Sequence, residues 1–205
     1  MRMSNFKRIV LTGGPCSGKS EGTEIIRQNL NNLGYKVIII PEIATEIRQN
    51  GFVHTNDTIT KVDFQRTIFK LQLFKENLYK SIIQKNDSRN QFILLLDRGL
   101  MDAKVYLNNE EFNKLIMEYN MTENDIFNRY DVVYHLESAA NSKNNIYNNL
   151  GNKYRLSTPE QALEQERKSI MVWGKHHNFH IIGVEDVFEH KIKKLEMSII
   201  KEVNK

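Results

Sequence analysis

Eight consecutive residues, Gly13-Gly14-Pro15-Cys16-Ser17-Gly18-Lys19-Ser20, restrict what this chain can become more than any other stretch of it. They fill every fixed position of a G-x-x-x-x-G-K-[ST] spacing. At average residue frequencies the pattern arises by chance on the order of once per hundred chains of this length, so its surroundings must carry part of the argument. Phe6–Thr12 just before it reads as a β-strand. Ser17 to Leu33 has helical spacing through Ile25, Ile26 and Leu30, and Gly34 stops it. A glycine-rich turn between strand and helix lets backbone N–H groups wrap phosphate oxygens, and the helix adds the positive end of its dipole. Lys19 then reaches the β- and γ-phosphates, and the Ser20 hydroxyl ligates Mg²⁺. Gly13–Ser20 is therefore expected to bind a nucleoside triphosphate with Mg²⁺: ATP, with GTP left open. Cys16 reads as a small residue suited to a tight turn, the alternative being a thiol activated by the helix N-terminus.

The rest of the chain alternates short apolar runs with helical periods. Lys36–Ile40 is a second strand rich in β-branched residues, closed by Pro41. Thr60 to Lys85 is a long amphipathic helix with Phe64, Ile68, Leu71, Leu78 and Ile82 among its apolar positions. Gln91–Leu96 is a third strand, ending in Asp97; Asp131–Leu136 and Phe179–Val184 are a fourth and a fifth. Pro159–His176 and Val187–Val203 are the last two helices. Apolar strands separated by helices predict a parallel sheet covered on both faces. The expected fold is α/β, a three-layer P-loop NTPase/kinase-like arrangement with a five-stranded parallel sheet, in one domain over 1–205 with a lid at about 141–158. Ligands of such sheets sit at the carboxyl ends of the strands, so Thr12–Gly18, Pro41–Glu42, Asp97–Arg98 and Glu137–Ser138 should share one edge.

Composition excludes several classes. A single cysteine permits no internal disulfide, and the strand beginning at Phe6 leaves no room for a signal peptide. Apolar runs such as Phe92–Leu96 are too short to span a bilayer. The expected location is cytoplasmic. The net charge of +4 is too small and scattered to argue for nucleic acid. Lys191, Lys193, Lys194, Lys201 and Lys205 crowd the C-terminal helix. The ordinary reading is a solvated helix face, which leaves peripheral contact with anionic lipid open.

Eight further side chains bear on chemistry. Asp97 closes the third strand, where an acid in such a fold holds the Mg²⁺ shell; its plainer reading is a cap for the next helix. Arg98 follows and can aim at phosphates from the same edge. Glu42, at the end of the second strand, either acts on acceptor hydroxyls as base or anchor, or complements the dipole of the Ile43–Gln49 helix. Arg155 lies in the Asn-, Gly- and Ser-rich lid stretch, with Arg167 a second candidate for a lid cation; surface solvation competes for both. Gln65, Gln72 and Glu76 recur on the long helix and could line an acceptor pocket, a plain polar face being the ordinary reading. A regulatory GTPase pattern is missing: Asn152-Lys153-Tyr154-Arg155 lacks the acid, and Asp97-Arg98-Gly99-Leu100 has its glycine misplaced. His176 and His177, adjacent on a helix, would point about 100° apart and make a poor metal pair.

The run Ile9–Ser20, Ile40-Pro-Glu-Ile-Ala44, Leu96-Asp-Arg-Gly-Leu-Met-Asp-Ala103 and Ser138-Ala-Ala-Asn141 resemble the P-loop ATPase/kinase domain shared by the NadR ribosylnicotinamide kinase and the TRPL translocation defect protein. Tyr154-Arg155, Ala162, Trp173-Gly174 and Phe188-Glu-His-Lys191 extend the likeness through most of the chain, closer to the second relative. The resemblance implies a kinase-like fold in which Lys19, Ser20 and Asp97 serve nucleotide and Mg²⁺, with Glu42, Arg98 and Arg155 on family-patterned positions. Two positions depart. Glu166 stands where the family carries Asp after the lid arginine, and Gly183-Val184 where relatives often show Asp-Asn. Neither the DNA-binding region of the first relative nor the extra domain of the second is expected within 205 residues. The expected activity is transfer of a γ-phosphoryl group to a hydroxyl of a small molecule, a nucleoside or ribosyl metabolite. The alternatives are a slow NTPase switch that binds a protein or phosphoinositide, and a nucleic-acid-end kinase, against which the modest charge speaks. The acceptor, the oligomeric state and the choice of ATP over GTP are not set by these residues.

Overall fold

A computed structural model describes residues 6–15, 17–54, 59–85, 91–138 and 159–205. Five strands carry the architecture: β1 (Phe6–Thr12), β2 (Lys36–Ile40), β3 (Phe92–Asp97), β4 (Val132–Leu136) and β5 (Phe179–Ile182). All pair in parallel, in the order β2-β3-β1-β4-β5. The expected α/β fold with a five-stranded parallel sheet is what the chain adopts.

Helix α1 (Lys19–Asn32) follows β1, α2 (Ile43–Gln49) and α3 (Lys61–Lys85) follow β2, and a 3₁₀ turn (Leu100–Asp102) and α4 (Ala103–Tyr106) follow β3. Two short helices, α5 (Asn109–Met117) and α6 (Glu123–Phe127), lead to β4. Both start on a side-chain cap, Asn108 accepting from Glu111 N and Thr122 from Asp125 N. Helix α7 (Pro159–Trp173) precedes β5, and α8 (Phe188–Val203) closes the chain.

Alternation along the strands makes the two cores. Val10, Leu94, Leu96 and Val133 pack with α2, α3 and α7 residues such as Phe64, Phe69 and Trp173. Their strand neighbours Ile9, Leu11, Leu95 and Tyr134 face α1 and α8 through Ile26, Leu30, Leu195 and Ile199. With both faces covered, strands need apolar residues at nearly every position, which is why Phe92–Leu96 reads as an unbroken run.

The long helix α3 differs from its sequence reading. Leu78 and Ile82 are exposed, while Gln65, Gln72 and Glu76 are buried beside Phe64, Phe69 and Ile83. The polar side chains face inward because they meet a cavity and the part-buried Arg129. Among the described residues no helix is long and apolar enough to cross a membrane.

Candidate active site

Register brings the site together. Leu11 of β1 pairs with Asp97 of β3, and Thr12 pairs with His135 of β4. The loop after β1 and the turn after β3 therefore leave the sheet side by side. The crevice lies where the strand order reverses around β1, the place such sheets reserve for ligands.

Two glycines of the loop are required by geometry. Gly13 has φ +140°, and a Cβ there would collide with the Leu136 carbonyl at the end of β4. Gly18 has φ +81°, and a Cβ there would enter the Phe188 ring of α8. Gly18 is also the N-cap of α1 and offers no side-chain cap to its first turn, the end of a helix whose dipole favours an anion. Lys19 is buried with its ammonium in the loop, donating to Gly13 O at 3.1 Å, Gly14 O at 2.9 Å and Ser17 Oγ at 2.9 Å. Pro15 O accepts from the Ser138 hydroxyl at 2.5 Å. Cys16 lies outside the described residues.

Ser20 and Asp97 meet directly, Ser20 Oγ donating to Asp97 Oδ2 at 2.8 Å. The second carboxylate oxygen, Oδ1, is buried without a hydrogen-bond partner among the described residues. Burial raises the Asp97 pKa and the nearby Glu42 charge adds to the rise, against the lowering fields of Lys19 and Arg98. A buried carboxylate oxygen without a donor, beside a hydroxyl, is a hard-oxygen corner that suits Mg²⁺, which takes one or two carboxylates plus phosphate oxygens and water. The capping alternative for Asp97 does not describe this geometry, because its side chain turns back to α1.

Arg98 has φ +79°, a left-handed conformation that a side chain adopts at a cost. Its backbone is tied on both sides: its N–H donates to Leu11 O at 2.9 Å, and its carbonyl accepts from Gln72 Nε2 at 3.3 Å. The guanidinium donates to Glu42 Oε1 at 2.9 Å and to Asp102 Oδ1 at 3.1 Å. Burial alone would depress the Arg98 pKa, but Tyr106, Glu42, Asp102 and Asp97 hold it well above its ordinary value. Burial would raise the Glu42 carboxyl; Arg98, the Thr45 hydroxyl at 2.5 Å and the Lys19 charge instead pull it down to about 2. Glu42 stands at the N-terminus of α2, yet its side chain is spent on Arg98 and Thr45 and caps no helix N–H.

A cavity of about 310 Å³ opens beside this pair, with Glu42, Asp97 and Arg98 in one wall and Gln65, Gln72 and Phe64 in another. Its volume falls in the range of small-molecule sites. The structure thus brings Lys19, Ser20, Asp97, Arg98 and Glu42 to one edge. Arg155, with the 141–158 segment, lies outside the described residues. Arg167 is exposed on α7, away from this group.

Asp102, Lys191 and Glu166 take part in ways the sequence reading did not assign. Asp102 is the largest omission: it accepts from Thr12 Oγ1 at 2.8 Å, Gly99 N at 2.9 Å and Trp173 Nε1 at 3.2 Å, besides Arg98. Its place four residues after Arg98, in a turn-forming stretch, was the available signal. Lys191 corrects the reading of the C-terminal helix as wholly solvated. It is 6% exposed and donates to Ser17 O at 2.9 Å and Glu137 O at 2.6 Å, which binds α8 to the loop. Lys193, Lys194, Lys201 and Lys205 are exposed as expected. Glu166 is buried against the loop, accepting from Ser138 N at 2.6 Å. His176 and His177 fall after α7 rather than on it, their rings 4.4 Å apart, and His176 Nε2 lies 3.0 Å from Tyr130 O.

The fold is similar to the crystal structure of thymidylate kinase from Ehrlichia chaffeensis. The TM-score is 0.57 at 14% identity, covering 96% of this chain and 97% of that one. This likeness speaks to the arrangement of the backbone. No curated protein matches the sequence. Of the residues described in the site, all but Lys191 lie within the stretch 8–190, which matches the model of the AAA domain. With a P-loop, a kinase-like five-stranded sheet and a match over most of its length, this chain belongs to that family of AAA domains.

Proposed function

We propose that this protein is a Mg²⁺-dependent phosphotransferase that moves the γ-phosphoryl group of a nucleoside triphosphate, ATP or GTP, to a hydroxyl of a small metabolite. The observation that carries the reading is the placement of Glu42 and Arg98 in the wall of a cavity next to Asp97 and the Lys19 loop. A protein that only binds or slowly hydrolyses a nucleotide has no need of an acceptor space there.

In this reading Lys19 exchanges its loop carbonyls for the β- and γ-phosphates, while Ser20 and Asp97 hold Mg²⁺. The metal supplies charge neutralisation of the phosphate oxygens. The acceptor oxygen forms a bond to the γ-phosphorus as the bond to the β-bridging oxygen breaks, and the nucleoside diphosphate leaves. The acceptor proton departs to water or a carboxylate. Glu42, held at about 2, is a weak proton acceptor; its role is to orient acceptor hydroxyls and to fix Arg98. Arg98 stabilises charge developing on the transferred group. Arg155 remains the proposed lid cation.

The test is release of ADP or GDP with Mg²⁺ across a panel of nucleosides and ribosyl cofactor precursors. Stimulation by one compound, lost in Lys19→Ala, supports transfer. Tight nucleotide binding with slow hydrolysis that no compound stimulates would point instead to a nucleotide-dependent switch.

A further inference from the structure

Gln65 and Gln72 sit two helical turns apart on one face of α3, and both line the cavity. They differ in one respect. Gln72 is anchored, its Nε2 donating to Glu76 Oε1 at 3.0 Å and to the Arg98 carbonyl at 3.3 Å. Gln65 is only 6% exposed, yet its carboxamide has no hydrogen-bond partner among the described residues. Its neighbours along the same wall are Phe64, Ile68 and Phe69.

The amide atoms are not sealed in the core but open to the cavity that Gln65 lines. Both its donor and its acceptor are therefore available to a ligand there. We infer that Gln65 is the specificity-determining residue of the acceptor pocket and reads a planar edge carrying an adjacent donor and acceptor: a lactam, an amidine or a carboxamide. One carboxamide offers both partners for such an edge in a single plane. The inference rests on the acceptor reading given above.

Spacing narrows the class. At 1.5 Å per residue, seven residues of helix put Gln65 roughly 10 Å from Gln72, which touches Arg98. The transferring hydroxyl belongs at the Arg98 end, so the edge that is read lies about one sugar ring plus one heterocycle away. The walls at the Gln65 end suit a flat ring. Phe64 lies there with Arg48 stacked 4.9 Å from its centroid, and no carboxylate pairs with that guanidinium among the described residues. The acceptor is therefore a glycosylated heterocycle with an unblocked donor–acceptor edge, not a bare sugar.

The test compares the parent protein with Gln65→Leu, using uridine, inosine, adenosine, cytidine and ribosylnicotinamide, with 1-O-methylribose as the probe without a base. For whichever nucleosides stimulate, Gln65→Leu should raise KM roughly tenfold to a hundredfold while kcat at saturation falls far less. Methylation of the ring nitrogen on the read edge should have the same effect on the parent. Gln65→Leu should melt no lower than the parent, because it removes an unpartnered amide. A lower melting temperature with unchanged KM would make Gln65 a structural residue and overturn the inference, as would equal stimulation by 1-O-methylribose. Calorimetric binding of the same compounds, with Mg²⁺ and ADP, separates the two readings. Binding weakened by Gln65→Leu without turnover would sink phosphoryl transfer but uphold the role of Gln65; no binding by any base-bearing compound would overturn the inference.

Discussion

Arg98 and Glu42 form a half-buried ion pair, Nε to Oε1 at 2.9 Å, that joins the turn after β3 to the start of α2. The pair matters because neither residue is free to move alone. Arg98 is held in a left-handed conformation by Leu11 and Gln72, and Glu42 also accepts from Thr45. A cation and a carboxylate are thus fixed beside Ser20 and Asp97, and preorganised charge of this kind is what phosphoryl transfer uses in general.

Glu42→Gln should lower acceptor-stimulated turnover by at least about tenfold and leave the affinity for Mg²⁺–ADP unchanged. The measurement is kcat beside a calorimetric Kd. The parent should also lose stability in acid in a defined window. The folded pKa of Glu42 is depressed, so its contribution is complete above the ordinary carboxylate value of 4.5 and disappears as pH falls toward about 2. Glu42→Gln should flatten that part of the stability–pH curve.

Asp97 has the opposite sign. Burial raises its pKa, so the ionised form opposes folding and its cost grows as pH rises through the folded value. Asp97→Asn should melt at or above the parent without ligand, yet lose the Mg²⁺-dependent part of the thermal shift given by ADP. A parent-like Mg²⁺ response in the variant would remove Asp97 from the metal site.

Glu76 should prove structural. It is fully buried and accepts from Arg129 Nε at 3.0 Å, Arg129 Nη2 at 2.9 Å, Tyr130 OH at 2.9 Å and Gln72 Nε2 at 3.0 Å. Glu76→Ala takes the carboxylate from the part-buried Arg129 guanidinium, which keeps its bond to Asn77 Oδ1 at 2.9 Å, a loss of about 3–5 kcal/mol. For a chain of this size that lowers Tm by roughly 6–20 °C, measurable by calorimetry.

Lys191 predicts an alkaline effect. Burial lowers its pKa from 10.5 to about 8, against the raising fields of Glu166 and Glu137. The folded protein loses this proton first, so stability rises with pH between those values while the positive charge beneath the loop disappears. Nucleotide affinity should weaken several-fold between pH 7 and 9.5, and Lys191→Met should flatten the profile.

What could be read in the sequence followed physical lines. Strand β1, the loop and α1 were legible because glycine spacing, β-branched residues and helical periodicity agree there. Asp97 was legible because it ends an unbroken apolar strand. The order of the strands was not, since residues of β3 and β4 buried on both faces carry no record of which neighbour they pair with. Gln65, Gln72 and Glu76 looked like a solvent face because their polarity answers a cavity and Arg129, both distant in sequence. Lys191 looked solvated for the same reason: its partners, Ser17 O and Glu137 O, are backbone carbonyls that no side-chain pattern announces.

In a phosphotransferase of this design the phosphoryl group leaves the nucleotide for a hydroxyl compound held beside Glu42 and Arg98. The most direct measurement follows the γ-phosphorus of the nucleotide by ³¹P NMR, with Mg²⁺ and the stimulating nucleoside present. A new phosphomonoester resonance should grow as ADP or GDP forms and be missing in Lys19→Ala. Recovery of all the γ-phosphorus as inorganic phosphate, at a rate no compound changes, would contradict it.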